Sequence, residues 1–90
     1  MSIKVRIPTI LRPYTSGEKL VTAEGPTLEA VIKNLDVNHP GIGERVLDEN
    51  GLRRFINIYV NDEDVRFLDG LATTIAENDS ITILPAVAGG

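Results

Sequence analysis

Few residues in this chain carry a chemistry that their neighbours could support. His39 is the sole histidine, and it stands directly before Pro40-Gly41. Without a second histidine or any cysteine beside it, it offers no zinc set, and it reads as a loop residue. Ser2, Ser16 and Ser80 have no nucleophile-elbow context, so no serine triad can be built around His39. Gly41-Ile42-Gly43 begins like a dinucleotide fingerprint, but Val46 stands where the third glycine belongs, and no preceding strand feeds it. Asp62-Glu63-Asp64 with Asp69 suggests calcium ligands. A calcium loop starting at Asp62 needs glycine at its sixth position and glutamate at its twelfth, where Phe67 and Thr73 stand. The acidic run therefore reads as a solvated turn, with a docking patch for a basic partner as its functional alternative.

The remaining candidate is the C-terminus. After Asp79 no side chain ionises, and the sequence closes Ile83-Leu84-Pro85-Ala86-Val87-Ala88-Gly89-Gly90. A terminal Gly-Gly arises by composition about once in 200 chains, with glycine at roughly 7% of residues. Frayed tails are usually polar, whereas this one is small and uncharged. Extended, the five residues Ala86, Val87, Ala88, Gly89 and Gly90 reach about 17 Å. Two glycines without Cβ let the backbone approach a bound nucleotide closely. A tail without charged side chains enters a narrow channel without burying an unpaired ion. Its reactive group is then the Gly90 carboxylate, ionised at neutral pH and inert until activated.

Composition excludes other roles. The chain has 90 residues and no cysteine, so disulfides, thiolate metal sites and cysteine nucleophiles are absent. One small core is all that this length supports. A net charge of −4 argues against nucleic-acid or anionic-membrane partners. Residues 1–45 carry six basic and five acidic side chains, and residues 46–90 carry three and eight. The alternating start, Ile3-Lys4-Val5-Arg6-Ile7, contains no signal-peptide core, and no apolar run is long enough to span a membrane. A cytoplasmic setting is expected.

The elements that must position the tail follow from periodicity. Ile3, Val5 and Ile7 alternate with Lys4 and Arg6, a strand with one buried face. Pro8 and Pro13 interrupt it, Thr15-Ser16-Gly17 turns, and a second strand over Lys19 to Ala23 closes a hairpin. Thr27 fits a helix N-cap, with Glu29 in the first turn. Leu28, Val31, Ile32 and Leu35 form one apolar stripe, and His39-Pro40-Gly41 stops the helix. A short helical turn is expected near Ile42 to Leu47. Arg54 to Asn61 reads as a strand with Ile56, Ile58 and Val60 on one face, followed by a turn at Asn61 to Asp64. A short strand is expected at Val65 to Phe67 and a single helical turn after Gly70. Ser80 to Pro85 is the last strand, with Ile81 and Ile83 inward. Hairpin-like pairs flanking one helix make an α+β plan.

Three segments carry a resemblance: Ile7 to Pro13, Asn57 to Arg66, and Ile83 to Gly90, with Gly70-Leu71-Ala72-Thr73 also fitting. On these the chain resembles the MoaD/ThiS group of ubiquitin-like sulfur carriers, and within it the branch serving cysteine biosynthesis. The similarity spans nearly the whole chain and is least over residues 36–53. It implies a β-grasp fold, a mixed sheet on one main helix, with a domain over residues 1–85 and an extended reactive tail over 86–90. It implies that an E1-like, ATP-using enzyme adenylates Gly90 and that a sulfur donor displaces AMP, leaving a thiocarboxylate. Further implied partners are a PLP-dependent cysteine synthase that consumes O-phosphoserine and a JAMM-type zinc metallopeptidase that releases cysteine. ATP, PLP and zinc would belong to those partners. The chain itself would be a carrier and not an enzyme, with no catalytic residue and no metal of its own. Leu84, Tyr59, Asp62 and Asp64 are the expected docking residues, and Ala86 to Gly89 the inserted tail. The alternatives are the small subunit of molybdopterin synthase, a protein modifier joined to lysines through Gly90, and an interaction module with an incidental tail.

Overall fold

The structure, a computed structural model, describes residues 2–49 and 51–85. The alternating segments form the strands β1 (Ile3–Arg6), β2 (Leu20–Ala23), β5 (Ile56–Val60) and β7 (Ser80–Pro85). Shorter pairs are β3 (Leu47–Asp48) with β4 (Gly51–Leu52), and β6 (Glu63–Asp64) on β5. The helices are α1 (Leu28–Asn38) and α2 (Ile42–Val46). The main sheet runs β2-β1-β7-β5-β6. Its centre is the parallel pair β1–β7, with Val5 opposite Ile81, and both flanks are antiparallel. This is a mixed sheet with one helix across it.

Period 2 on the strands and period 3.6 on α1 converge on a single core. Ile3, Val5, Ile58, Ile81 and Ile83 from the sheet meet Leu28, Val31, Ile32 and Leu35 from α1, all at most 3% exposed. Each such side chain stabilises the fold by roughly 1.5–3 kcal/mol relative to exposure. Thr27 caps α1 as expected, its hydroxyl accepting the Ala30 N–H at 3.3 Å. The helix ends at His39, whose N–H returns to the Leu35 carbonyl. Gly41 lies at φ +99°, where a Cβ would stand 3.0 Å from the Tyr14 ring. Asp36 accepts the N–H groups of both Gly41 and Gly43, at 3.1 and 2.9 Å, and so pins α2 to α1. The Gly-Ile-Gly segment therefore builds a helix–helix corner.

Three local expectations differ from the structure. Thr9–Thr15 is a 3₁₀ segment rather than an interruption. Leu11 is buried in the core, and the Thr15 hydroxyl donates to the Glu18 carbonyl at 2.7 Å. Val65–Phe67 is a 3₁₀ turn and not a strand, because the Asp64 carboxylate accepts the Arg66 N–H at 2.8 Å and turns the chain. The β3–β4 hairpin was not expected. The helical turn after Gly70 is present as a 3₁₀ segment over Gly70–Ala72.

Candidate functional site

The residues that lead to the tail belong to β7, the central strand that runs toward Pro85. Pro85 lies opposite Ile56 at the start of β5, and Leu84 lies opposite Asn57. Proline lacks an N–H to give the ladder, so it suits the last position of the strand. The chain thus leaves the sheet between β1 and β5, from its central strand. Ala86, Val87, Ala88, Gly89 and Gly90 lie outside the described residues.

Two grooves meet at this exit. One, of about 360 Å³, runs between β7 and the segment after β1, and Arg6, Arg12 and Lys19 line it together with Thr82 to Pro85. The other, of about 530 Å³, lies beyond Ile10 and is lined by Tyr14, Arg45, Arg53, Phe55 and Ile56. Ile10, Phe55 and Leu84 are 59%, 64% and 43% exposed around the exit. Several of the cations are held in place. The Arg12 Nε donates to the Ile7 carbonyl at 3.2 Å, and the Arg53 Nε donates to the Glu44 carbonyl at 2.6 Å. The Arg45 Nε donates to the Tyr14 hydroxyl at 2.6 Å, and its guanidinium carbon sits 5.7 Å from the ring centroid.

Of the residues expected to dock a partner, Leu84 and Tyr59 share the outer face of the sheet. Tyr59 is half-buried opposite Thr82, two positions before Leu84 on β7. Asp62 and Asp64 are not brought to the exit; they sit at the other end of β5. Asn61 and Asp62, at φ +51° and +73°, make the two-residue turn between β5 and β6. Asp64 is committed to the local fold, for besides capping the 3₁₀ turn it lies 3.8 Å from the Arg66 Nη1. Arg66 in turn donates to the Asn57 side chain and to the Ile56 carbonyl. Among the described residues no group of three or more histidine, cysteine, aspartate or glutamate side chains could hold a metal ion. None of the described helices is long and apolar enough to cross a membrane. Sequence reasoning missed Ile10, Phe55 and the five cations. The single available signal was the proline-flanked run from Pro8 to Pro13.

The last strand of the chain thus ends at an apolar and basic surface. Comparison with known proteins decides the kind of protein. The model of the ThiS family matches residues 5–90. The chain belongs to the ThiS family. It is 62% identical to the sulfur carrier protein CysO of Mycobacterium tuberculosis, over all of both chains. It superposes with a TM-score of 0.92 and 53% identity on the crystal structure of the Amycolatopsis orientalis BexX/CysO complex, covering 98% of this chain and 99% of the other. The solution structure of small archaeal modifier protein 1 from Methanosarcina acetivorans matches at a TM-score of 0.85 and 28% identity, covering 99% and 96%. The fold is therefore the ubiquitin-like β-grasp, as the resemblance implied. This member of the ThiS family is a sulfur carrier and is not itself an enzyme.

Proposed function

We propose that this chain carries sulfur as a thiocarboxylate at Gly90 and delivers it for the synthesis of cysteine. The whole-length identity to a CysO sulfur carrier supports this reading most directly. The Gly90 carboxylate attacks the α-phosphate of ATP on an E1-like adenylating enzyme, releasing pyrophosphate. Carboxylate is a poor electrophile until one oxygen becomes part of a leaving group, and AMP is that group. Sulfide from a donor displaces AMP and leaves the thiocarboxylate.

The loaded tail, Ala86 to Gly90, then enters a PLP-dependent cysteine synthase. Its sulfur adds to an aminoacrylate formed from O-phosphoserine, and an S-to-N acyl shift joins cysteine to Gly90 through an amide. A JAMM-type zinc metallopeptidase hydrolyses that amide, freeing cysteine and restoring the carboxylate. ATP, PLP and zinc are the partners' groups, and the setting is the cytoplasm. Tethering holds the nucleophilic sulfur at high effective concentration in the acceptor site. A chain without cysteine also has no internal thiol to attack its own activated acyl group.

The test couples purified chain, adenylating enzyme, ATP, sulfide and cysteine synthase with O-phosphoserine. A cysteine adduct amide-linked to Gly90 is expected, and a thiocarboxylated chain that never acquires cysteine would remove the pathway assignment. Likeness to small archaeal modifier protein 1 supports a second reading, conjugation through Gly90 to target lysines. Isopeptide-linked Gly-Gly remnants in digests of host protein would favour it.

A further inference from the structure

Charge is sorted along the main sheet. The β5–β6 turn and the segment before β7 place Asp62, Glu63, Glu77 and Asp79 at the end of the sheet away from the exit, with Lys4 as a neighbouring cation, while Asp64 pairs with Arg66, whose guanidinium reaches back to the Ile56 carbonyl and the Asn57 side chain. At the exit the order is reversed. Arg6, Arg12 and Lys19 line one groove and Arg45 and Arg53 the other, with Glu18 next to Lys19 and Glu44 next to Arg45 in the sequence. A molecule of net charge −4 therefore carries a basic collar where its tail begins. Inside that collar stand the exposed Ile10, Phe55 and Leu84.

We propose that this collar docks on a partner protein whose tail-accepting channel is apolar at its mouth and ringed by acidic residues. The proposal rests on the carrier reading, which supplies the channel, and it adds the chemistry of the surface around it. The length of chain beyond Pro85 argues for this occupant. Five residues span about 17 Å, so the terminal carboxylate reaches a buried site only when the exit itself is seated against the channel mouth. Seating buries Ile10, Phe55 and Leu84, which is favourable, and brings five cations to the rim, which is favourable only against carboxylates. The acidic far end points away from that contact and is repelled by the same rim, so the partner's field orients the carrier tail-first before contact.

The test measures association of the native chain and variants with the host's adenylating enzyme by stopped-flow, across a range of sodium chloride. For the native chain the association rate falls steeply with salt. Arg6→Glu with Lys19→Glu lowers it about tenfold at low salt and flattens its salt dependence. Arg6→Lys preserves both. Should the double reversal not fold, Arg6→Gln with Lys19→Gln puts no carboxylate on the sheet and is expected to slow association about threefold. A reversed or neutralised variant that associates as fast as the native chain, with the same salt slope, overturns the proposal while leaving sulfur carriage intact. Salt-dependent association of a native chain that never becomes thiocarboxylated removes the assignment of the sulfur to Gly90 and keeps the collar. Binding of a single-stranded oligonucleotide by the native chain, lost on reversal, would assign the collar to nucleic acid and also overturn it.

Discussion

The two ends of the central sheet are built from the same strands and do different things. At the β5–β6 end, polar side chains are spent on the fold. The Asn61 amide donates to the Asp79 carboxylate at 2.6 Å and accepts the Ser80 N–H at 3.0 Å, while the other Asp79 oxygen accepts the Ala76 N–H at 2.7 Å. At the Pro85 end, exposed apolar side chains and cations face solvent around the base of the tail. An exposed apolar cluster rimmed by charge marks an interaction surface, whereas a satisfied polar network marks a joint. The acidic run, which the sequence offers as a solvated turn with a docking patch as the alternative, is at the joint.

That contrast can be broken from either end. The largest effect is expected from deleting Gly89 and Gly90, which abolishes thiocarboxylation while thermal unfolding stays where it was. A coincident loss of stability would mean that the tail belongs to the fold. Next is Leu35→Ala in the shared core, which costs about 2–5 kcal/mol in denaturant unfolding. At a permissive temperature that variant still accepts sulfur at the native rate.

A smaller loss separates the two ends more finely. Asn61→Ala removes the amide that bridges Ser80 and Asp79 and puts a less tolerant residue at φ +51°. About 1–2 kcal/mol of stability is expected to go in chemical denaturation, with transfer of sulfur unchanged. Asn61→Gly, which adopts that φ freely, recovers part of the loss. The smallest effect is predicted for Asp62→Lys with Glu63→Lys, which reverses charge at the joint without touching the Asp64 cap. Association with the adenylating enzyme should change by less than about twofold. A tenfold slowing would show that the acidic end docks after all.

Much of the fold was legible because its signals are local and repeated. The stripe Leu28, Val31, Ile32 and Leu35 and the alternation of Ile56, Ile58 and Val60 each repeat the same geometric demand several times. The missed pieces lack such repetition. The hairpin of β3 and β4 has two residues per strand, too few for a period. Pro8 and Pro13 looked like breaks, yet a short 3₁₀ segment holds a proline inside it once Leu11 is anchored in the core. At Val65 the alternation lost to one Asp64 side chain. The reading of the tail rested on a different signal, since its chemistry needs only the last residues and no partner from elsewhere in the chain. The collar was not legible, because Arg6, Arg12, Lys19, Arg45 and Arg53 are scattered over 48 positions and meet only once the sheet has formed.

The central claim is that sulfur is carried at the backbone carboxylate of Gly90. Intact mass spectrometry of the chain after incubation with its adenylating enzyme, ATP and sulfide tests it most directly, with fragmentation to place the change. The account predicts exchange of one oxygen for sulfur, confined to Gly90 and dependent on ATP. A chain that keeps its mass under those conditions, or gains sulfur at any other residue, contradicts it.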